Sequence, residues 1–214
     1  MLPSISFVDS RDTFINTFLS EMPKGTPATD FSYQIQHDIR EWQNYIPIIK
    51  LSDTLFKMEG EKVLYYWYEV NGKILLGAEF RKDGDALVVS YIGKPNRGGA
   101  PYASDLYLAV LNDRKNIPGN VNAIVMSDSM LSDEGFNIWS RLLKDGHKLL
   151  IYNSEQPGSS YIKINSFQDL QNYFKHGDKA YEKYRYVLSE NNPAFGEILA
   201  FFSLRRLRET SGML

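Results

Sequence analysis

The stretch KVLYYWYEVNGKILLGAEFRKDGDALVVSYI, residues 62–92, decides the fold. Its β-branched and aromatic residues come in short blocks that suit a pleated surface better than a helix. Asn71-Gly72 separates the first two blocks, and this dipeptide accepts the positive φ angles of a two-residue hairpin turn. Lys82-Asp83-Gly84-Asp85 makes a second break. The pattern predicts an antiparallel meander of three strands, 62–70, 73–81 and 86–92.

On either side the period changes. Upstream, Phe14, Ile15, Phe18 and Leu19 recur at helical spacing behind Ser10, a suitable cap. After the loop PKGTPATD, Ile35, Ile39 and Trp42 mark one face of a second helix that ends before Pro47. Residues 1–60 thus read as a helical part of the same domain. Downstream come helix 102–113, strand 122–126, helix 132–144 capped by Ser132, and strand 147–152. A short strand at 161–164, a helix carrying Phe167, Leu170 and Phe174, and a last strand at 183–189 complete a core over 61–190. Helix–strand alternation favours parallel pairing with right-handed crossovers. The tail, 191–214, reads as helical from 194 to 207, with an apolar set suited to docking on the body or on a second copy.

Composition narrows the function classes. The 214 residues are 43% hydrophobic, enough for one sizeable core. Twenty-four basic and 26 acidic side chains give no global attraction to nucleic acid or anionic membrane. Without cysteine there is no thiolate metal site and no cysteine nucleophile. His37, His147 and His176 are too scattered for a metal spacing, so no metal is expected. No apolar run approaches the ~20 residues of a membrane span, and the first residues lack the pattern of a secretory signal. A cytosolic protein without membrane attachment is the expectation.

Helices, a meander, then helix, strand, helix, strand and a late strand resemble the GNAT superfamily of acetyl-CoA-dependent N-acetyltransferases. The resemblance covers roughly 60–190 and rests on element order. The style of the sequence is similar to that of divergent bacterial or phage members. It implies an α/β fold with a mixed central sheet and flanking helices. In such a fold two neighbouring parallel strands, here 86–92 and 122–126, splay apart into a cleft. The pantetheine arm of acetyl-CoA, or of a related acyl-CoA, pairs with one strand, here through Tyr91 and Ile92. Its pyrophosphate meets the N-terminus of the next helix. The family pattern Arg/Gln-Gly-x-Gly-x-Ala/Gly is matched in part by Arg97, Gly98, Gly99, Ala100, Pro101, Tyr102 and Ala103, with Ser104 following. Ala100 stands where glycine is expected and Tyr102 where a small residue is expected. Pro101 offers no N–H, and Asp105 competes for the helix N-terminus, while Lys94 and Arg97 favour an anion.

The resemblance also implies a base that removes a proton from the amine and a tyrosine that protonates the departing thiolate. Glu79 suits the base if it points into the cleft; solvent-facing alternation explains it equally. Ser127, Asp128 and Ser129 follow a parallel strand, where binding groups gather, although Asp and Ser there also suit capping of the next helix. Trp139 lies nearest the tyrosine position and indole cannot act as the acid, so Tyr91 or Tyr102 would have to substitute. The implied activity is acyl transfer to an amine on a protein, a peptide, an RNA or a small molecule. The alternative is an inactive fold of this type that binds protein or nucleic acid. A nucleotide-binding α/β protein of another topology fits less well, because the meander precedes the glycine loop.

Overall fold

The computed structural model describes residues 28–84, 86–96, 99–117, 123–156 and 161–189. The expected helix around 10–22, Arg97, Gly98 and the expected tail helix lie outside them. The chain folds as α1 (Ala28–Trp42), β1 (Ile48–Lys50), β2 (Leu55–Glu59), β3 (Val63–Val70), β4 (Lys73–Asp83) and β5 (Ala86–Gly93). There follow α2 (Ala103–Lys115), β6 (Ile124–Met126), α3 (Asp133–Lys144), β7 (Leu149–Asn153), β8 (Ile162–Ile164), α4 (Phe167–Gln171) and β9 (Tyr184–Leu188). The nine strands form one mixed, mostly antiparallel sheet in the order β1-β2-β3-β4-β5-β6-β9-β7-β8.

The meander stands where the sequence puts it. Asn71 and Gly72 both take positive φ, 51° and 73°, as the tight turn between β3 and β4 requires. β3 is buried on both faces because each is covered. Leu64 and Tyr66 join the core beneath α2 and α3, whereas Tyr65 and Trp67 join Ile35 and Ile39 of α1. Gly77 of β4 lies under α1, where a Cβ would come within 2.7 Å of Ile35 Cγ2 and 3.4 Å of Trp67 Cβ. Gly77→Val is therefore expected to cost about 1–3 kcal/mol through overpacking. Urea unfolding measures it, and an unchanged midpoint would mean that α1 shifts freely on the sheet.

Two sequence expectations need correction. The part before residue 60 is not wholly helical: among the described residues the helix stops at Trp42, and β1 and β2 follow. β1 is exposed throughout, so burial imposes no period on it. In β2 Lys57 is buried, its ammonium 2.7 Å from Asp113 Oδ2 on α2, which makes a core strand look polar. Parallel pairing, expected from helix–strand alternation, holds among the described residues for β5 with β6 only. β7 does not reach β6, because β9 inserts between them, antiparallel to both.

The β4–β5 ladder carries an irregularity that positions the site. Glu79 pairs with Tyr91 and Phe80 with Val89, so Ser90 is an extra residue in β5. Leu87 and Val89 pack under α2 and α3, but after the bulge it is Ile92 that returns to that face. Tyr91 falls on the α1 side.

Candidate functional site

β5 and β6 run side by side only briefly. Ala86, Leu87 and Val88 pair with Ile124, Val125 and Met126; β5 then continues to Gly93 without this partner. A cavity of about 1000 Å³ lies at the carboxyl ends of the two strands. Its walls include Ser90, Tyr91 and Ile92, Gly99 and residues 101–104, the loop after β6, one side of α3, and the segment from Tyr173 to β9. Crossover connections place helix N-termini and strand carboxyl ends at the same edge of a sheet, where ligands bind in open α/β folds.

The sequence candidates divide on this geometry. Tyr91, Ile92, Gly99, Tyr102, Ala103, Ser104 and Asp128 all line the cavity. Ala100 is exposed and is not among its walls. Ser90 and Ser104 place hydroxyls in the wall that are buried and have no hydrogen-bond partner among the described residues. Such groups are costly unless a ligand or solvent satisfies them. Other features of the loop look inward. The Lys94 ammonium donates to the carbonyls of Gly99 and Pro101, the latter at 2.8 Å. Asp105 accepts the Tyr102 N–H at 3.3 Å and so occupies part of the α2 N-terminus. The Arg141 guanidinium stacks 3.6 Å above the Tyr102 ring.

Glu79 does not reach the cavity wall. It is 1% exposed on the α1 side, where its Oε2 accepts from the hydroxyls of Tyr65 (2.7 Å) and Tyr91 (3.0 Å). Asp38 Oδ2 accepts from the same two hydroxyls, at 3.1 and 2.5 Å. The Tyr91 hydroxyl is thus held on the far face from the cavity. Burial and the two carboxylates push its ionisation far above the usual tyrosine range, so it stays a proton donor. His37 and Glu41 lie near Asp38, within 4.8 Å as ligand atoms, but both are exposed and Asp38 is already engaged by the tyrosines.

Asp128 stands in a different setting. It leaves the end of β6 at the point where the strands part and lines the cavity. Oδ1 accepts the Met130 N–H at 3.1 Å, and Oδ2 has no hydrogen-bond partner among the described residues. Burial pushes its carboxyl up to about 6; that backbone bond and the charges of Arg185 and Arg81 pull it partly back. Tyr107 of α2 is within electrostatic reach of it and is itself held protonated by burial. Trp139 is 1% exposed, packed between Tyr107 and Tyr186 at ring distances of 5.5 and 5.8 Å.

Sequence reading missed Tyr107, which shares its helix face with Leu106 and Val110 and so reads as core. It also missed Tyr173, Tyr181 and Tyr184 as cavity walls, because they reach the site only through the late return of β9 into the sheet. Asp38 gave no signal beyond a polar residue in a helix. No known protein family, no curated protein and no solved structure matches the chain.

Proposed function

We propose that the protein is an acyltransferase of GNAT type, moving an acyl group from acyl-CoA to an amine. The parting of β5 from β6 beyond Val88 and Met126 carries this reading. An extended ligand arm has a row of backbone groups from Val89 to Gly93 to pair with there. The bulge at Ser90, the insertion of β9 beside β6, and the start of α2 at the mouth of the cavity support the same reading. The unpartnered hydroxyls of Ser90 and Ser104 fit a polar ligand. A bound acyl-CoA would supply the activated thioester. The chain would supply Tyr91, Ile92, Gly99, Ala103 and Ser104 as its walls.

Ala103→Glu tests the proposal. Glutamate in the first turn favours the helix, so the fold is expected to persist, but its charge opposes a diphosphate at the same helix end. Calorimetry is expected to show acetyl-CoA binding to the wild type and at least a tenfold weakening in the variant. A folded wild type that does not bind acetyl-CoA overturns the reading. It would favour a binding module of the same fold, for which the commitment of Lys94 and Asp105 to the loop itself already speaks.

A further inference from the structure

Asp128 is a half-buried carboxylate at the edge of a large cavity, with one oxygen held by a backbone N–H and the other without a hydrogen-bond partner among the described residues. A carboxylate drawn partly out of water is normally paired or richly hydrogen-bonded. The nearest cations do not fill that role. Arg185 of β9 directs its guanidinium to the carbonyls of Glu182 and Tyr184, and Arg81 of β4 is exposed. From α2, Tyr107 faces it as a neutral phenol.

The same cavity is walled by Tyr173, Tyr181 and Tyr184, whose rings meet edge to face, at 5.0 Å for Tyr173–Tyr184 and 6.2 Å for Tyr181–Tyr184. Tyr184 already carries the Lys183 ammonium 5.4 Å from its ring centre. Aromatic rings and a carboxylate that line one cavity attract a compact cation, and the rings offer an apolar wall to whatever stem carries it. Neutral ligands gain only from the wall.

We infer that Asp128 and the Tyr107, Tyr173, Tyr181 and Tyr184 rings form a subsite for a primary ammonium on a short apolar stem. The inference deepens the acyl-transfer reading by naming the acceptor chemistry, a primary amine on a short alkyl stem, free or at the end of a lysine side chain. Its use as an acceptor site rests on that reading, but its ligand binding does not.

Titration by NMR with n-butylammonium and with n-butanol distinguishes charge recognition from apolar filling. At pH 7.5 the wild type is expected to bind the ammonium at least tenfold more tightly than the alcohol. Asp128→Asn, which keeps an oxygen for the Met130 N–H, is expected to lose that preference. In the wild type the preference should also fade as the pH drops through about 6, where Asp128 takes up a proton, while the ligand stays charged. This second arm needs no variant. Equal affinity for ammonium and alcohol, or a preference that survives in Asp128→Asn, overturns the subsite. Acetyl-CoA binding without ammonium preference would remove the subsite and leave acyl transfer standing. Ammonium preference without acetyl-CoA binding would do the reverse.

Discussion

Trp139→Ala is expected to destabilise the protein by about 3–5 kcal/mol, the range for removing a fully buried large aromatic side chain. The indole is wedged between Tyr107 of α2 and Tyr186 of β9, so its loss would open the joint between a helix and the late strand. The two flanking rings are anchored on different elements and can collapse only in part. Denaturant unfolding followed by circular dichroism reads the change as a lower midpoint at similar slope. A loss below about 1 kcal/mol would mean that this core is loosely packed. Trp139→Tyr is expected to destabilise as well, since it leaves part of the space of the indole empty. The position belongs to the core, and a phenol there would need a partner of its own.

Asp113→Ala is the second large effect, expected at about 3 kcal/mol, because it strands a buried ammonium. Asp113 Oδ2 receives both Lys57 Nζ and the Tyr66 hydroxyl, each at 2.7 Å, and ties β2 and β3 to α2. The next anion, Glu59, is 3.9 Å from Lys57 and already serves Lys82 at 2.8 Å and Arg114 at 3.3 Å. Adding Lys57→Met to Asp113→Ala is expected to recover most of the loss, since the unpaired charge then disappears; a double-mutant cycle measures this coupling. Additive losses would show that the pair is not coupled. Burial pushes the Glu59 carboxyl up, but Lys82, Arg114 and Lys57 outweigh it and hold it below the usual range. Its contribution is therefore present above the ordinary carboxylate value and fades as pH falls through the lowered one.

The meander was legible because each turn has its own chemistry and each strand its own β-branched or aromatic run. Ser132 was legible as a cap, and its hydroxyl accepts the Gly135 N–H at 3.0 Å. β2 was hidden by a lysine whose partner lies on a helix more than fifty residues away. The insertion of β9 between β6 and β7 was hidden because local pattern says nothing about strand order. In the site, the position of Asp128 followed from its place after a parallel strand. The burial of Glu79 beneath α1 did not follow, since alternation along β4 gives two faces without saying which one a helix covers. Tyr91 was misplaced as a free hydroxyl for the same kind of reason. Its orientation depends on a bulge that no single residue announces.

That bulge makes β5 a strand of two parities. Before Ser90, odd-numbered residues belong to the α2–α3 layer; after it, even-numbered ones do. Removing one residue at this point would exchange the layers for everything downstream. The Tyr91 phenol would swing to the cavity's side and Ile92 toward the carboxylates under α1. A substitution pattern across β5 should therefore invert at Ser90, with polar changes tolerated on opposite registers to either side. One inserted residue is in this sense a joint between two instructions: the first half of β5 builds a core, and the second half lines a cavity.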